Sequence, residues 1–194
     1  IDRKLIYSHP KFVEPMLDYI VRDFEKSRSA LGDASIGGMV ICDSAEQARE
    51  MFRIFTAVYA PQPLPGLTAQ DSAQAIIAAG LPDSYAARTL LENRAKTAAL
   101  ILHDVGSKDE RKDWVEDFKA GKIDLLFVYN MLLTGFDAKR LKKLYLGRII
   151  KAHNLLQALT RVNRTYKDFR YGYVVDFADI RKEFDKTNKD YFDE

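Results

Sequence analysis

The segment Leu155 to Arg164 reads LLQALTRVNR. On a helical wheel of about 100° per residue, Leu155, Ala158, Leu159 and Val162 make an apolar stripe, while Gln157, Arg161 and Arg164 gather within roughly 60° of one another on the opposite side. A glutamine and two arginines with no carboxylate among them suit two surroundings. The face is either wet, the ordinary fate of charged helix faces, or it meets a polyanion such as the phosphates of a nucleotide. The helix alone does not choose between them.

A second group lies upstream. The apolar run KIDLLFVYN reads as a strand and leads into MLLTGFDAKR, where Gly135 permits close backbone approach and Asp137 offers a carboxylate acceptor. In parallel α/β sheets ligands collect at the carboxyl ends of strands, so this segment is expected at that edge. A plain turn with a helix-capping aspartate is the alternative.

The elements needed to hold these residues are visible in the patterning. PKFVEPMLDYIVRDFEKSRSA spaces Val13, Met16, Leu17, Ile20, Val21 and Phe24 for a helix from about Lys11 to about Ser29. LGDASIGG breaks it. A short apolar run, Met39 to Cys42, then feeds a helix opened by Ser44 and Gln47 in capping-box spacing. The alternation resumes with an apolar run from Ala98 to Leu102, a helix capped by Ser107 and Glu110 and stopped near Gly121, and the strands KIDLLFVYN, KKLYLGRII and YGYVVDFADI. Near-continuous apolar strands separated by amphipathic helices predict a mostly parallel central sheet with helices on both faces, an α/β three-layer sandwich. The Pro-rich, then Ala-rich stretch at about 60–97 reads as an insertion with some helix.

Composition removes several classes. Thirty basic against 28 acidic residues give a formal charge of +2, so no global basic field argues for nucleic acid and any basic surface is local. The basic run Lys139, Arg140, Lys142 and Lys143 reads as a solvated surface, with phosphate contact as the alternative. The single cysteine, Cys42, lies in an apolar run and reads as a core residue in a reducing compartment. His9, His103 and His153 stand at no ligand spacing, so no metal centre is expected. No run approaches a membrane span of about 20 apolar residues and no signal-peptide pattern opens the chain, which reads as soluble and intracellular. Beginning at Ile1, it is expected to be a piece of a longer polypeptide.

MLLTGFDAKRL followed by LLQALTRVNR resembles motifs V and VI of superfamily 2 helicases and translocases, in the wording of the restriction (R) subunit of type I restriction-modification enzymes; GMVICDSAEQA resembles motif IV, in the right order. The resemblance covers Gly38 to Tyr59 and Ala98 to Ile180 and implies the second RecA-like motor domain. It divides the chain into a connecting helix at 1–37, the motor domain at 38–180 with its insertion, and an extension at 181–194. It places Gln157, Arg161 and Arg164 against ATP bound on the neighbouring RecA-like domain, the two arginines reaching the γ-phosphate as catalytic groups. Gly135 and Asp137 match motif V, with the carboxylate near the ribose hydroxyls. Thr134, Lys139 and Arg140 become candidate DNA contacts. Asn130 stands where the family often has Asp, Lys139 where it often has Pro, and Tyr129 where many members have a Thr that touches a DNA phosphate.

The chain contains no G-x-x-x-x-G-K-[ST] sequence and no Asp-Glu pair after a strand in a Walker B context, so it is expected to hold half of an ATP site. The resemblance implies ATP and Mg2+ held mainly by a first motor domain, double-stranded DNA as the track, modification and specificity subunits as partners, and a bacterial or archaeal cytoplasm. A domain of another superfamily 2 helicase or remodeller is a second reading. A catalytically silent α/β interaction module is a third.

Overall fold

Apolar residues on both sides of each short strand require a layer of helices on each face. The computed structural model, which describes residues 3–60, 65–80, 97–132, 136–150 and 152–178, has that form. In chain order the elements are α1 (Arg3–Tyr7), α2 (Pro10–Leu31), β1 (Gly37–Ile41), α3 (Ala45–Ile54) continued by a π-helical turn (Phe55–Tyr59), α4 (Ala69–Ala78), β2 (Ala98–Ile101), α5 (Lys108–Ala120), β3 (Leu125–Val128), β4 (Leu141–Leu146), α6 (Ala152–Val162) and β5 (Tyr173–Asp176). The strands form one sheet in the order β2-β3-β1-β4-β5. Every pairing in it is parallel.

Alternation along the strands divides the interior into two cores. Met39, Ile41, Leu126, Val128, Leu144 and Leu146 pack with Phe118 of α5 and with Leu155, Ala158 and Val162 of α6. Val40, Cys42, Leu125, Phe127 and Tyr145 face the other way, onto Val13, Leu17, Ile20 and Phe24 of α2 and Ala48 and Met51 of α3. The expected three-layer α/β sandwich is therefore present. Cys42 is a core residue, its thiol pushed well above the usual range by burial.

The helix boundaries follow local chemistry. Ser107 and Glu110 form a complete capping box on α5, and Gly121 ends that helix with φ 86°. At α3 the Ser44 hydroxyl accepts from Gln47 N, but the Gln47 side chain differs from a capping box: it accepts from Asp43 N at 2.7 Å and donates to Tyr7 O at 2.9 Å. The first long helix, expected from about Lys11, begins one residue earlier at Pro10, a residue preorganised for the first helical turn. Within the expected insertion, α4 starts at the Thr68 cap; residues 81–96 lie outside those described.

The basic run does not form a solvated surface. Lys139 is exposed, but Arg140, Lys142 and Lys143 are buried, because β4 is covered on both faces. Arg140 donates from Nε to Ser35 O (2.8 Å) and from Nη1 to Phe118 O (2.8 Å) and Ile123 O (2.6 Å). Its Nη2 lies 3.8 Å from Asp124 Oδ1, within ion-pair range. Asp124 is also paired with Arg28 of α2. The Arg140→Met variant should lose about 3 kcal/mol of unfolding free energy or more, since two buried carbonyls and a partly buried one lose a charged donor. Urea unfolding measures this, with Arg140→Lys recovering little because a point charge cannot serve three carbonyls in a plane.

Candidate functional site

The segment between β3 and β4 leaves the sheet at the carboxyl end of β3 and must travel back to the amino end of β4, because the two strands are parallel to β1. Phe136 and Asp137 lie at the end of that return. Gly37 N, at the start of β1, donates to Arg140 O at 2.7 Å, which fixes this part of the segment at the amino-terminal edge of the sheet. The expectation that Asp137 sits at the carboxyl edge is therefore corrected. Helix α6 starts after the carboxyl end of β4 and also runs back, so its last turn arrives at the same edge.

There the two segments meet. Arg164 Nη1 donates to Asp137 Oδ1 at 2.6 Å, with the arginine side chain 48% exposed and the aspartate 58%. Arg161 Nη1 donates to the Phe136 carbonyl, and its Nε donates to Gln157 O at 3.1 Å. Burial, and then the neighbouring Arg164 charge, push the Arg161 guanidinium below its ordinary value, against the pull of Asp137. Two guanidiniums are thus within electrostatic reach of one another with a single carboxylate between them. That is an excess of positive charge, half open to solvent, with donors arranged in planar forks suited to phosphate oxygens.

Asp137, Arg161 and Arg164 are brought together, and Gln157 lies one turn back on α6, half-buried, its carbonyl accepting from Arg161. The helical wheel does not hold for Arg164, because α6 ends at Val162 and Arg164 stands just beyond it. Thr134 and Gly135 lie outside the described residues. Lys139 is exposed beside Asp137. Arg140 is corrected from a DNA contact to a structural residue, since it is 3% exposed and its guanidinium is occupied by carbonyls of the fold. Among the described residues no group of three His, Cys, Asp or Glu side chains could hold a metal ion, and no helix is long and apolar enough to cross a membrane.

Two participants were not singled out from the sequence, and a third, Lys142, was named there only as part of the basic run. Phe136 acts through its backbone, which no side-chain pattern reports, and its ring packs on Phe118 at 5.9 Å between centroids. Lys142 reaches the end of α6 from β4. Leu132, the last described residue before Phe136, takes φ 62°, a left-handed conformation rare for a bulky residue. The Lys142 signal was available in principle: neighbouring lysines on one strand must point to opposite faces.

A model of the family described as type I restriction enzyme subunit R domain 3 matches residues 70–179, more than half of the chain. The chain belongs to that family. Its curated relatives include a type I restriction enzyme endonuclease subunit of Staphylococcus aureus (strain COL), 46% identical over 68 residues, covering 34% of this chain and 7% of that subunit. Another, from Staphylococcus saprophyticus, is 44% identical over 69 residues, covering 35% of this chain and 7% of that subunit. The chain thus corresponds to a small part of those subunits. Among solved structures, the helicase domain of Pyrococcus furiosus Hef superposes with a TM-score of 0.47 and 12% identity, over 93% of this chain and 28% of that one.

In this R-subunit domain the two arginines should separate in their effect on folding. Arg161→Ala removes charged donors from the partly buried Phe136 and Gln157 carbonyls and should cost about 1–3 kcal/mol. Arg164→Ala removes only a half-exposed ion pair and should cost less than about 1 kcal/mol. Denaturant unfolding of the two variants should give that order; equal losses would contradict the geometry.

Proposed function

We propose that Asp137, Arg161 and Arg164 form the face that this domain turns toward ATP bound on a neighbouring RecA-like motor domain of the same polypeptide. In this reading the chain is the second half of an ATP-dependent double-stranded DNA translocase within a type I restriction enzyme. The carrying observation is the convergence of two mutually repelling guanidiniums and one carboxylate at the end of α6. The family membership and the relatives' names as endonuclease subunits support the owner of the motor.

The donor set fits a nucleotide. Phosphoryl transfer gathers negative charge on the equatorial oxygens of the transferred group, and a guanidinium neutralises it with two parallel N–H donors. Arg164 is the more available of the two, being half exposed and held by an ion pair whose net contribution is at most about 1 kcal/mol. Releasing it toward a phosphate therefore costs little. Arg161, tied to Phe136 and Gln157, is better placed to orient the loop and to add positive potential. Asp137 offers its carboxylate to ribose hydroxyls. ATP and Mg2+ would be held mainly by the first motor domain, opposite this face. Lys139, exposed near Asp137, and Thr134 remain the candidates for contact with the DNA backbone. The modification and specificity subunits are the proposed partners of the assembled enzyme, and closure of the cleft around ATP would drive each step along DNA.

In the full-length subunit, Arg164→Ala should lower DNA-stimulated ATP hydrolysis by a factor on the order of 10³ to 10⁵ while DNA binding persists. Arg164→Lys should recover little of it. Undiminished hydrolysis by the alanine variant would place this face against solvent instead.

A further inference from the structure

Helix α6 ends at Val162, and its last carbonyls have no N–H of a following turn to bond. Asn163 N still bonds Leu159 O at 3.1 Å, but the carbonyls of Val162 and Arg164 point onward. Both are met from the sheet. Lys142, second residue of β4 and 1% exposed, sends its ammonium to Val162 O at 3.3 Å and to Arg164 O. Beside Lys142, where Lys143 is in register with Tyr173, the chain entering β5 passes so close that a Cβ on Gly172 would overlap the Val162 carbonyl. The end of α6 rests on a buried cation and, next to it, on a bare stretch of backbone.

We infer that Lys142 is a positioning residue for Arg164, fixing through two backbone carbonyls the point from which that guanidinium reaches out. This assignment rests on the nucleotide reading above. Arg164 stands beyond the helix and its side chain is half exposed, so helical hydrogen bonds do not fix its backbone. A lysine suits the task for two reasons. Its positive charge is favourable at the carboxyl end of a helix dipole. Its compact, rotatable ammonium serves two carbonyls at different angles, which a planar guanidinium of larger volume does not. Burial disfavours the charged form of Lys142, and the two carbonyls are what compensates it. Placement matters at this scale: an ångström of displacement at a catalytic group lowers rates by about 10²-fold.

The test is a double-mutant cycle in the full-length subunit, read by DNA-stimulated ATP hydrolysis with a thermal melt beside it. Lys142→Met keeps the length and apolar stem of the side chain but removes the ammonium. It should lower kcat about tenfold or more with KM for ATP within about twofold, the signature of an interaction used in the transition state. In an Arg164→Ala background the same substitution should have no further effect on kcat, because Lys142 acts only through Arg164. Equal fold-losses in the two backgrounds, or full kcat in Lys142→Met, would overturn the assignment while leaving the nucleotide reading intact. Full activity in Arg164→Ala alone would overturn both. If the methionine variant does not fold, Lys142→Gln replaces it in the cycle, with a neutral amide donor and the same criteria.

Discussion

Strand β4 lies between β1 and β5 and under helices on both faces, yet it carries Lys142 and Lys143, with Arg140 immediately before it. Water cannot solvate Arg140, Lys142 or Lys143 there, and an unpaired buried charge costs several kcal/mol. Each must find oxygen inside the protein, and each finds it on a different element. Arg140 reaches the carbonyls of Ser35, Phe118 and Ile123, joining the approach to β1 with the end of α5. Lys143 meets Asp23 of α2 at 2.6 Å, and the hydroxyl of Tyr145 donates to the same carboxylate at 2.8 Å. Lys142 takes the end of α6. Satisfying one strand's charges thus orients the helices around it.

The site inherits its geometry from that arrangement. Asp137 stands three residues before Arg140, so anchoring Arg140 at the amino edge of the sheet also anchors the carboxylate. Arg164 stands two residues beyond α6, whose end Lys142 holds. The exposed pair between Asp137 and Arg164 is too weak to organise anything by itself. Its position is set by buried interactions behind it, and the guanidinium stays free to change partner. A rigid base carrying a mobile cation is the arrangement a phosphate-facing arginine requires.

Much of this was legible in the residues. Periodicities of two and of 3.6 found the strands, their helices and the burial of Val13, Leu17, Ile20 and Phe24 on α2, and the Ser107 and Glu110 spacing located the start of α5 to the residue. Gln157, Arg161 and Asp137 were singled out by type and spacing. What failed depended on the third dimension. A basic run of four residues looks solvated unless the strand is known to be covered on both faces, and the pattern of β4 did not reveal this. The helical wheel carried α6 past its end at Val162 and so misplaced Arg164. A segment that follows one strand was assigned to that strand's carboxyl edge, although a parallel connection has to return, and Asp137 lies at the end of the return. Backbone acceptors such as Phe136 O leave no trace in side-chain type.

The central claim is that the end of α6 presents its guanidiniums to the phosphates of a nucleotide held by the neighbouring domain. The most direct measurement is a structure of the full-length subunit closed on DNA with a non-hydrolysable ATP analogue. The account predicts at least one Arg164 nitrogen at about 3 Å from a γ-phosphate oxygen, with Lys142 still at the end of α6. Arg164 remaining on Asp137, with the nucleotide bound and its γ-phosphate contacted by other cations, would contradict it.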